Sequence, residues 1–596
     1  MPGLQSKNLK VNYKEEELKV LKVFFSNPGG NVFVLLDSLT PEMKAALVAR
    51  YSRSNDLSMQ KLFLREFYGD MELQLVQILA NIYPNICKDN NEKVQKFNNR
   101  VLNEYGDDSV REIVTPIIGV ELIDQITAKI IEDSKLFSGI EKSTRYLDFS
   151  KGVELNEEGE IIGYDKNSRV YLYLVPESIE ESNYKNMYES TLDELFEFYK
   201  KLEAEVFKKL KEENPLENQK FPSSYEKDEL ISYDKLSEEE KEAAKKAYDQ
   251  ALMTQTHDVC RNILPMATLT NLGWSSNFRE VGEKIAEMLA DKNKEVNKVG
   301  DEIYKQLKFY APTLINWIEL EHGKEYINNI KMRKELDPLV ERYLNDAIKE
   351  YQETNDIKYS DEDIKLLRDK YENDAEVEFV TSILYPFSSL DYKELEKVVK
   401  SNKELQNVTI DWVKKLRGDN RRNKLPNAGE NVGIKIEFNI PISIWRDLQR
   451  HRNLTQLRQE YTIFNGYEIP EKVEEIGYGK EFMDKIDAVN NLYIALHSKE
   501  KTRPYAQEVV TFSHKIKTVF TADLKEWTWM IELRTSKQGD PRYVKLMREL
   551  YEKIVKEIPF ADKIMVHVNK GDNNNDNDDN LGRLYSLYKN MKRKNK

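Results

Sequence analysis

Apolar residues fall into one order twice along this chain. "NVFVLLDSLTPEMKAALVARYSRS" (31–54) opens with a short strand-like run, turns through the N-cap candidates Ser38 and Thr40, and enters a helix with Pro41 at its first position. "VEFVTSILYPFSSLDYKELEKVVK", from Val377, has the same order and predicts a second strand, turn and helix. Further on, "DDSVREIVTPIIGVELIDQITAKI" (107–130) matches "GENVGIKIEFNIPISIWRDLQRHR" (429–452): a polar turn, a strand, then a helix beginning near Ile442. Residues 259–289 and 505–534 both read as helix, strand, helix. Self-similarity in this order predicts a diverged tandem duplication, with repeats at 1–340 and 370–596 and a helical linker at 341–369.

Lys, Glu and Asp dominate residues 325–372 at helical spacing, which predicts a solvated pair of connecting helices. A charged helical insertion at about 195–250 reads as surface elaboration, and "GDNNNDNDDN" (571–580) as a flexible loop before a basic tail.

At 596 residues the chain exceeds one ordinary core, and its 40% apolar content suffices for several. A net charge of -13 argues against non-specific nucleic-acid binding, so a local basic cluster points to a small anion. Two cysteines, Cys87 and Cys260, make no disulfide framework and fit a cytoplasmic setting. Neither a signal peptide nor a membrane span is expected. Six scattered histidines without ligand spacing give zinc no support.

Against this acidic background "WRDLQRHRNLTQLRQEYT" (445–462) gathers four arginines and a histidine. Arg450, His451 and Arg452, near the end of the predicted helix, suit a polyanion or complement the helix dipole. In the first repeat "EKSTRYLDF" (141–149) offers an acceptor at Glu141, a hydroxyl at Ser143 and a guanidinium fork at Arg145.

Together these residues resemble the flavin-dependent thymidylate synthase family, whose signature joins Arg-His-Arg to a later E-x-S-x-R-Y. The signature is split here. The second repeat keeps Arg450, His451 and Arg452 but has Glu460 and Thr462 where the family has serine and arginine; the first keeps Glu141, Ser143, Arg145 and Tyr146 but reads Asp133, Ser134 and Lys135 at the basic triplet. Downstream the losses are complementary again. Arg261, Asn277 and Arg279, with Pro265 and Trp274, fill family-like places in the first repeat, where Met288 replaces a final arginine. The second repeat has Gln507, Asp523 and Lys525 but keeps that arginine as Arg534.

The resemblance implies an α+β fold, each repeat a mixed or antiparallel sheet with flanking helices, the two forming a pseudo-dimer with one composite site. It implies methylation of dUMP to dTMP with FAD, NADPH as reductant and methylenetetrahydrofolate as carbon donor. Arg534 would be catalytic together with Ser143. Glu141, Lys142, Ser143, Thr144, Arg145, Arg261, Asp447, Gln449 and Arg450 would bind substrate, with Asp447 departing from the family glutamine. Arg450, His451, Arg452, Glu141, Asn277 and Arg279 would hold FAD. Small molecules are the implied partners, and two chains would assemble to mimic the family tetramer. An inactive nucleotide-binding or flavin-binding relative, or a pyrimidine hydroxymethylase, is the alternative.

Overall fold

Thr40 caps the first long helix: its hydroxyl accepts from the Met43 amide, and Pro41 occupies the first helical position, where an amide would lack a helical partner. The computed structural model describes residues 9–66, 92–104, 108–222, 230–334, 337–355, 362–367, 374–536, 538–571 and 583–594. Its first series of principal elements runs β1 (Val32–Val34), α1 (Pro41–Tyr51), β2 (Ile117–Ile123), α2 (Gln125–Glu132), β3 (Ser138–Glu141), α3 (Lys185–Glu213), α4 (Glu238–Cys260), β4 (Thr270–Ser275), α5 (Phe278–Leu289) and α6 (Lys294–Tyr310). After α7 (Glu321–Lys334) and α8 (Pro338–Thr354) the second series follows. It comprises β5 (Ile364–Leu366), α9 (Ala375–Leu384), β6 (Gly433–Pro441), α10 (Ile442–Leu448), β7 (Thr455–Arg458), α11 (Gly479–His497), β8 (Lys515–Asp523), α12 (Leu524–Arg534) and α13 (Pro541–Glu557).

Both series build a four-stranded sheet of one order, β1-β2-β4-β3 and β5-β6-β8-β7, with every neighbouring pair antiparallel. Inward positions alternate along the strands, as in β6, where Ile434, Ile436, Phe438 and Ile440 are buried. In β2 the register shifts between Val120 and Ile123, and Leu122 adopts φ 53°, the left-handed region that non-glycine residues rarely enter. Its amide donates to Asn271 Oδ1 at 2.6 Å, which holds the bulge.

The chain divides into two compact units that cut across the repeats. One comprises Met1–Lys201, Ile263–Ser360 and Lys480–Thr511; the other comprises Leu202–Asn262, Asp361–Gly479 and Phe512–Lys596. The end of α3 and all of α4, from the first repeat, thus belong to the unit built mainly from the second. Most of α11, with the turn through Gln507, belongs to the unit built mainly from the first.

Three expectations are corrected. Residues from Val377 form a helix rather than a strand, because Asp374 caps Glu376 and Val377 and the helix buries Val377, Phe379, Val380 and Ile383. The edge strand matching β1 is β5, which lies inside the span assigned to a helical linker; α7 ends before that span and α8 enters it, the two forming the largely exposed helices expected from the charged stretch at 325–372. The insertion is more than a solvated surface, since Leu202, Val206, Ala247 and Tyr248 are buried. The acidic loop lies outside the described residues except for Gly571, as does Cys87. Among the described residues no helix is long and apolar enough to cross a membrane, and no group of His, Cys, Asp or Glu could hold a metal ion.

Candidate functional site

Strand β6 runs into α10 through Pro441, whose fixed φ suits the helix start, and all seven residues of α10 are buried. The helix ends at Leu448, so Arg450, His451 and Arg452 lie beyond it rather than on it. Released from helical spacing, they diverge: Arg450 is exposed, Arg452 half-buried and His451 buried. Gln449, the C-cap, is buried.

Arg261 caps the C-terminus of α4 at 2% exposure, surrounded by carboxylates. Its Nη2 lies 2.9 Å from Asp540 Oδ2, 3.2 Å from Asp447 Oδ2 and 3.7 Å from Asp258 Oδ1. Asp540, the N-cap of α13, also takes Arg542 Nη2 at 2.9 Å; Arg542 Nη1 donates to Asn262 Oδ1 at 2.7 Å, and Ser443 Oγ donates to that same oxygen at 2.8 Å. A buried cation requires such compensation. The arginine expected to clamp a phosphate is therefore already neutralised.

Beside this knot stands Arg534, the last residue of α12 and half-buried. Its Nε donates to His451 Nε2 at 3.1 Å, Nη2 donates to the Asp447 backbone carbonyl, and the guanidinium lies 5.5 Å from the centre of the Tyr543 ring. His451 Nδ1 lies 3.2 Å from Glu526 Oε1, in the first turn of the same helix. Burial holds the His451 pKa below the usual imidazole value; Glu526 opposes the shift and Arg534 adds to it. Arg261, from the first repeat, and Asp447, His451 and Arg534, from the second, thus share one compact unit.

The remaining predicted residues lie in the other unit. Glu141 closes β3 with a fully buried side chain, its Oε2 2.9 Å from the equally buried Lys129 Nζ. Lys142 Nζ donates to the Asp56 backbone carbonyl and sits 4.8 Å from the centre of the Tyr51 ring. Burial pulls its pKa down to about 8. Ser143 shapes a tight turn: its Oγ accepts from the Arg145 amide at 3.2 Å and its carbonyl from Tyr146 and Leu147. Thr144 and Arg145 are buried. Asn277 caps α5 by accepting from the Glu280 amide, while exposed Arg279 pairs with Glu112 at 2.7 Å and Glu283 at 3.6 Å. Glu141 pairs with Leu272 and Ser138 with Ser275, so the Glu141 turn and the Asn277 cap occupy opposite ends of the β3–β4 ladder.

Comparison with known proteins decides the family. The sequence profile of the thymidylate synthase complementing proteins matches residues 35–313 and again 365–560. The chain belongs to this family. It is the family of flavin-dependent thymidylate synthases, and the double match agrees with tandem duplication. Among similar proteins, a "UPF0159 protein" of Thermoplasma acidophilum is 26% identical over 537 residues, covering 89% of this chain and 96% of the relative. Another, of Chlamydia muridarum, is 26% identical over 557 residues, covering 92% and 94%. A third, of Chlamydia pneumoniae, is 27% identical over 565 residues, covering 94% and 96%.

Within the family frame, the sequence reading missed Asp540, Arg542, Asn262 and Glu526. Only Asp540, directly before Pro541, carries a local signal, that of a capped helix start. The places in the first unit that match Arg261 and Arg534 hold no cation. Gln507 stands for Arg261 and Met288, wholly buried, for Arg534; Glu508 stands for Asn262 and takes a 3.0 Å hydrogen bond from Asn293 Nδ2. Glu508 Oε2 meets no hydrogen-bond partner among the described residues, and burial drives its pKa well above the carboxylate range.

Proposed function

We propose that the chain methylates dUMP to dTMP in a flavin-dependent reaction, binding one FAD and one dUMP per chain. The observation supporting this reading is the gathering of Arg261, His451 and Arg534 in one unit although they derive from different repeats. Arg534 is assigned to the pyrimidine, where its half-buried guanidinium would stabilise negative charge developing at N3 and O2 and so raise the nucleophilicity of C5. Cysteine attack by Cys260 is disfavoured, because the thiol is wholly buried and burial pushes its pKa well up.

In charge, the residues beyond α10 fit a flavin dinucleotide: Arg450 is exposed and Arg452 half-buried, whereas His451 is buried with both ring nitrogens engaged. Arg450 and Arg452 would hold the pyrophosphate; Asn277 and Arg279, in the other unit, are assigned to FAD by the family motif alone. When bound, reduced FAD would supply the hydride, with NADPH reducing it and methylenetetrahydrofolate supplying the one-carbon unit. Glu141, Lys142, Ser143, Thr144 and Arg145 are assigned to the nucleotide with Gln449 and Asp447, an assignment that follows the family motif.

Arg261 favours a second reading, a nucleotide binder without turnover, because its carboxylate neighbours oppose a dianionic phosphate. One anaerobic single-turnover experiment separates them. Protein reconstituted with FAD is reduced and mixed with dUMP and methylenetetrahydrofolate, and the nucleotide is weighed by mass spectrometry. A gain of CH2 supports methylation, a gain of CH2O supports hydroxymethylation, and unchanged dUMP with bound FAD supports the non-catalytic reading.

A further inference from the structure

The basic triplet of the family signature does not act as three equivalent cations here. Its middle member is a buried strut between the two ends of α12, with Glu526 in the first turn and Arg534 at the last residue. The partners fix its tautomer. Arg534 Nε carries a hydrogen and can only donate, so His451 Nε2 must accept and the ring hydrogen must sit on Nδ1, directed at Glu526 Oε1 3.2 Å away. We propose that His451 is a positioning residue: Glu526 holds it as the neutral Nδ1–H tautomer, and its Nε2 lone pair aims the Arg534 guanidinium.

Three contacts orient that guanidinium: His451 Nε2 at Nε, the Asp447 carbonyl at Nη2, and the face of the Tyr543 ring. The Asp447 carboxylate faces Arg261 instead. Losing the imidazole acceptor leaves Nε–H without its fixed partner and lets the planar group turn about its side chain. Protonation has the same effect. An imidazolium presents N–H to N–H at this contact and brings two positive charges together, while Glu526 favours it from the other side and Arg534 disfavours it. Asp523, which caps Glu526 through its amide, adds a carboxylate near that end. The strut therefore makes the orientation of Arg534 dependent on pH, with the aimed form favoured above the His451 pKa and lost below it. Burial keeps that loss to more acidic pH than for a free imidazole.

This inference rests on the reading in which Arg534 activates the pyrimidine, and its test separates the two. The full chain labelled with 15N-histidine is followed by NMR from pH 5 to 8, with His451 assigned by its disappearance in H451Q. Expected at pH 7.5 are a protonated Nδ1 and a bare Nε2 whose resonance moves in R534K. An Nε2–H tautomer or an imidazolium at that pH overturns the proposal. In steady-state kinetics H451A should lose about 10²-fold in kcat, the scale of a misplaced transition-state donor, with KM for dUMP changed by less than about threefold. H451Q, whose amide oxygen can also accept from Arg534, should recover at least about a tenth of the wild-type kcat and lose the acidic limb of the pH profile. Equal loss in H451A and H451Q, or an unchanged acidic limb in H451Q, refutes the positioning role. If the chain binds dUMP without converting it, the functional reading fails, while the tautomer and its response to R534K still decide the inference.

Discussion

Replacing Lys129 by methionine isolates what a buried cation does for Glu141. In the native unit the Lys129 ammonium meets Glu141 Oε2 at 2.9 Å and also the Glu132 carboxylate, and the side chains of Lys129 and Glu141 are both fully buried. Methionine keeps most of the aliphatic volume, so the cavity contribution is small and the change is mainly electrostatic. Removing one partner of a buried pair is expected to destabilise the fold by about 3–5 kcal/mol. In K129M the carboxyl of Glu141 can relieve that penalty by taking up a proton. Its folded pKa then exceeds its unfolded one, the folded chain binds the extra proton, and stability rises as pH falls, by up to about 1.4 kcal/mol per pH unit. Urea unfolding of K129M at pH 8 and pH 6, monitored by circular dichroism, should show a deficit that shrinks at the lower pH. The double variant K129M/E141Q, neutral at both positions, should recover most of the loss. A K129M deficit below about 1 kcal/mol, or one equal at both pH values, would refute the argument that this pair is a compensated buried charge.

Restoring the family residue in D447Q removes one carboxylate from Arg261 and should tighten dUMP binding about tenfold by calorimetry, equivalent to about 1.4 kcal/mol; unchanged affinity would show that Asp447 does not control access to Arg261. Glu508 retains its proton in the folded chain to higher pH than in the unfolded chain, so its contribution to stability falls as pH rises above the ordinary carboxylate range; Asp124, pushed up to about 6, and Glu121, pushed up to about 7, act in the same direction, each up to its own folded value. E508Q should raise the melting temperature at pH 8 more than at pH 6 by scanning fluorimetry, and an equal shift at both would contradict the buried-carboxyl account.

Repetition was legible because the apolar alternation of β2 and β6 and the helices that follow them are local patterns. What failed was arbitration of a short apolar run. From Val377, residues rich in valine, phenylalanine and isoleucine read as a strand, yet α9 is buried on several sides and loses its amphipathic mark; Asp374, the cap that identifies it, is the stronger signal. Likewise α10 stops at Leu448, which moves Arg450, His451 and Arg452 from a helical surface to three different environments. The cations themselves were visible, but their counter-charges were not: Asp540 is 279 positions from Arg261, and sequence spacing cannot reveal a contact that only the fold creates. Glu526 escaped notice for a different reason. On α12 it reads as an ordinary acidic first turn until His451 is placed beside it.

The exchange of segments between the compact units bears on how this duplicated chain can change. A cut between α8 and β5 would leave residues 202–262 on the fragment opposite the unit they complete, and 480–511 likewise. Neither fragment would inherit a whole folding domain, so the two halves of the gene cannot readily drift apart into separate proteins. A destabilising lesion in α4 would damage the unit otherwise encoded by the second repeat, and one in α11 would damage the unit encoded mainly by the first. Selection therefore sees the duplicate halves as a single heritable object.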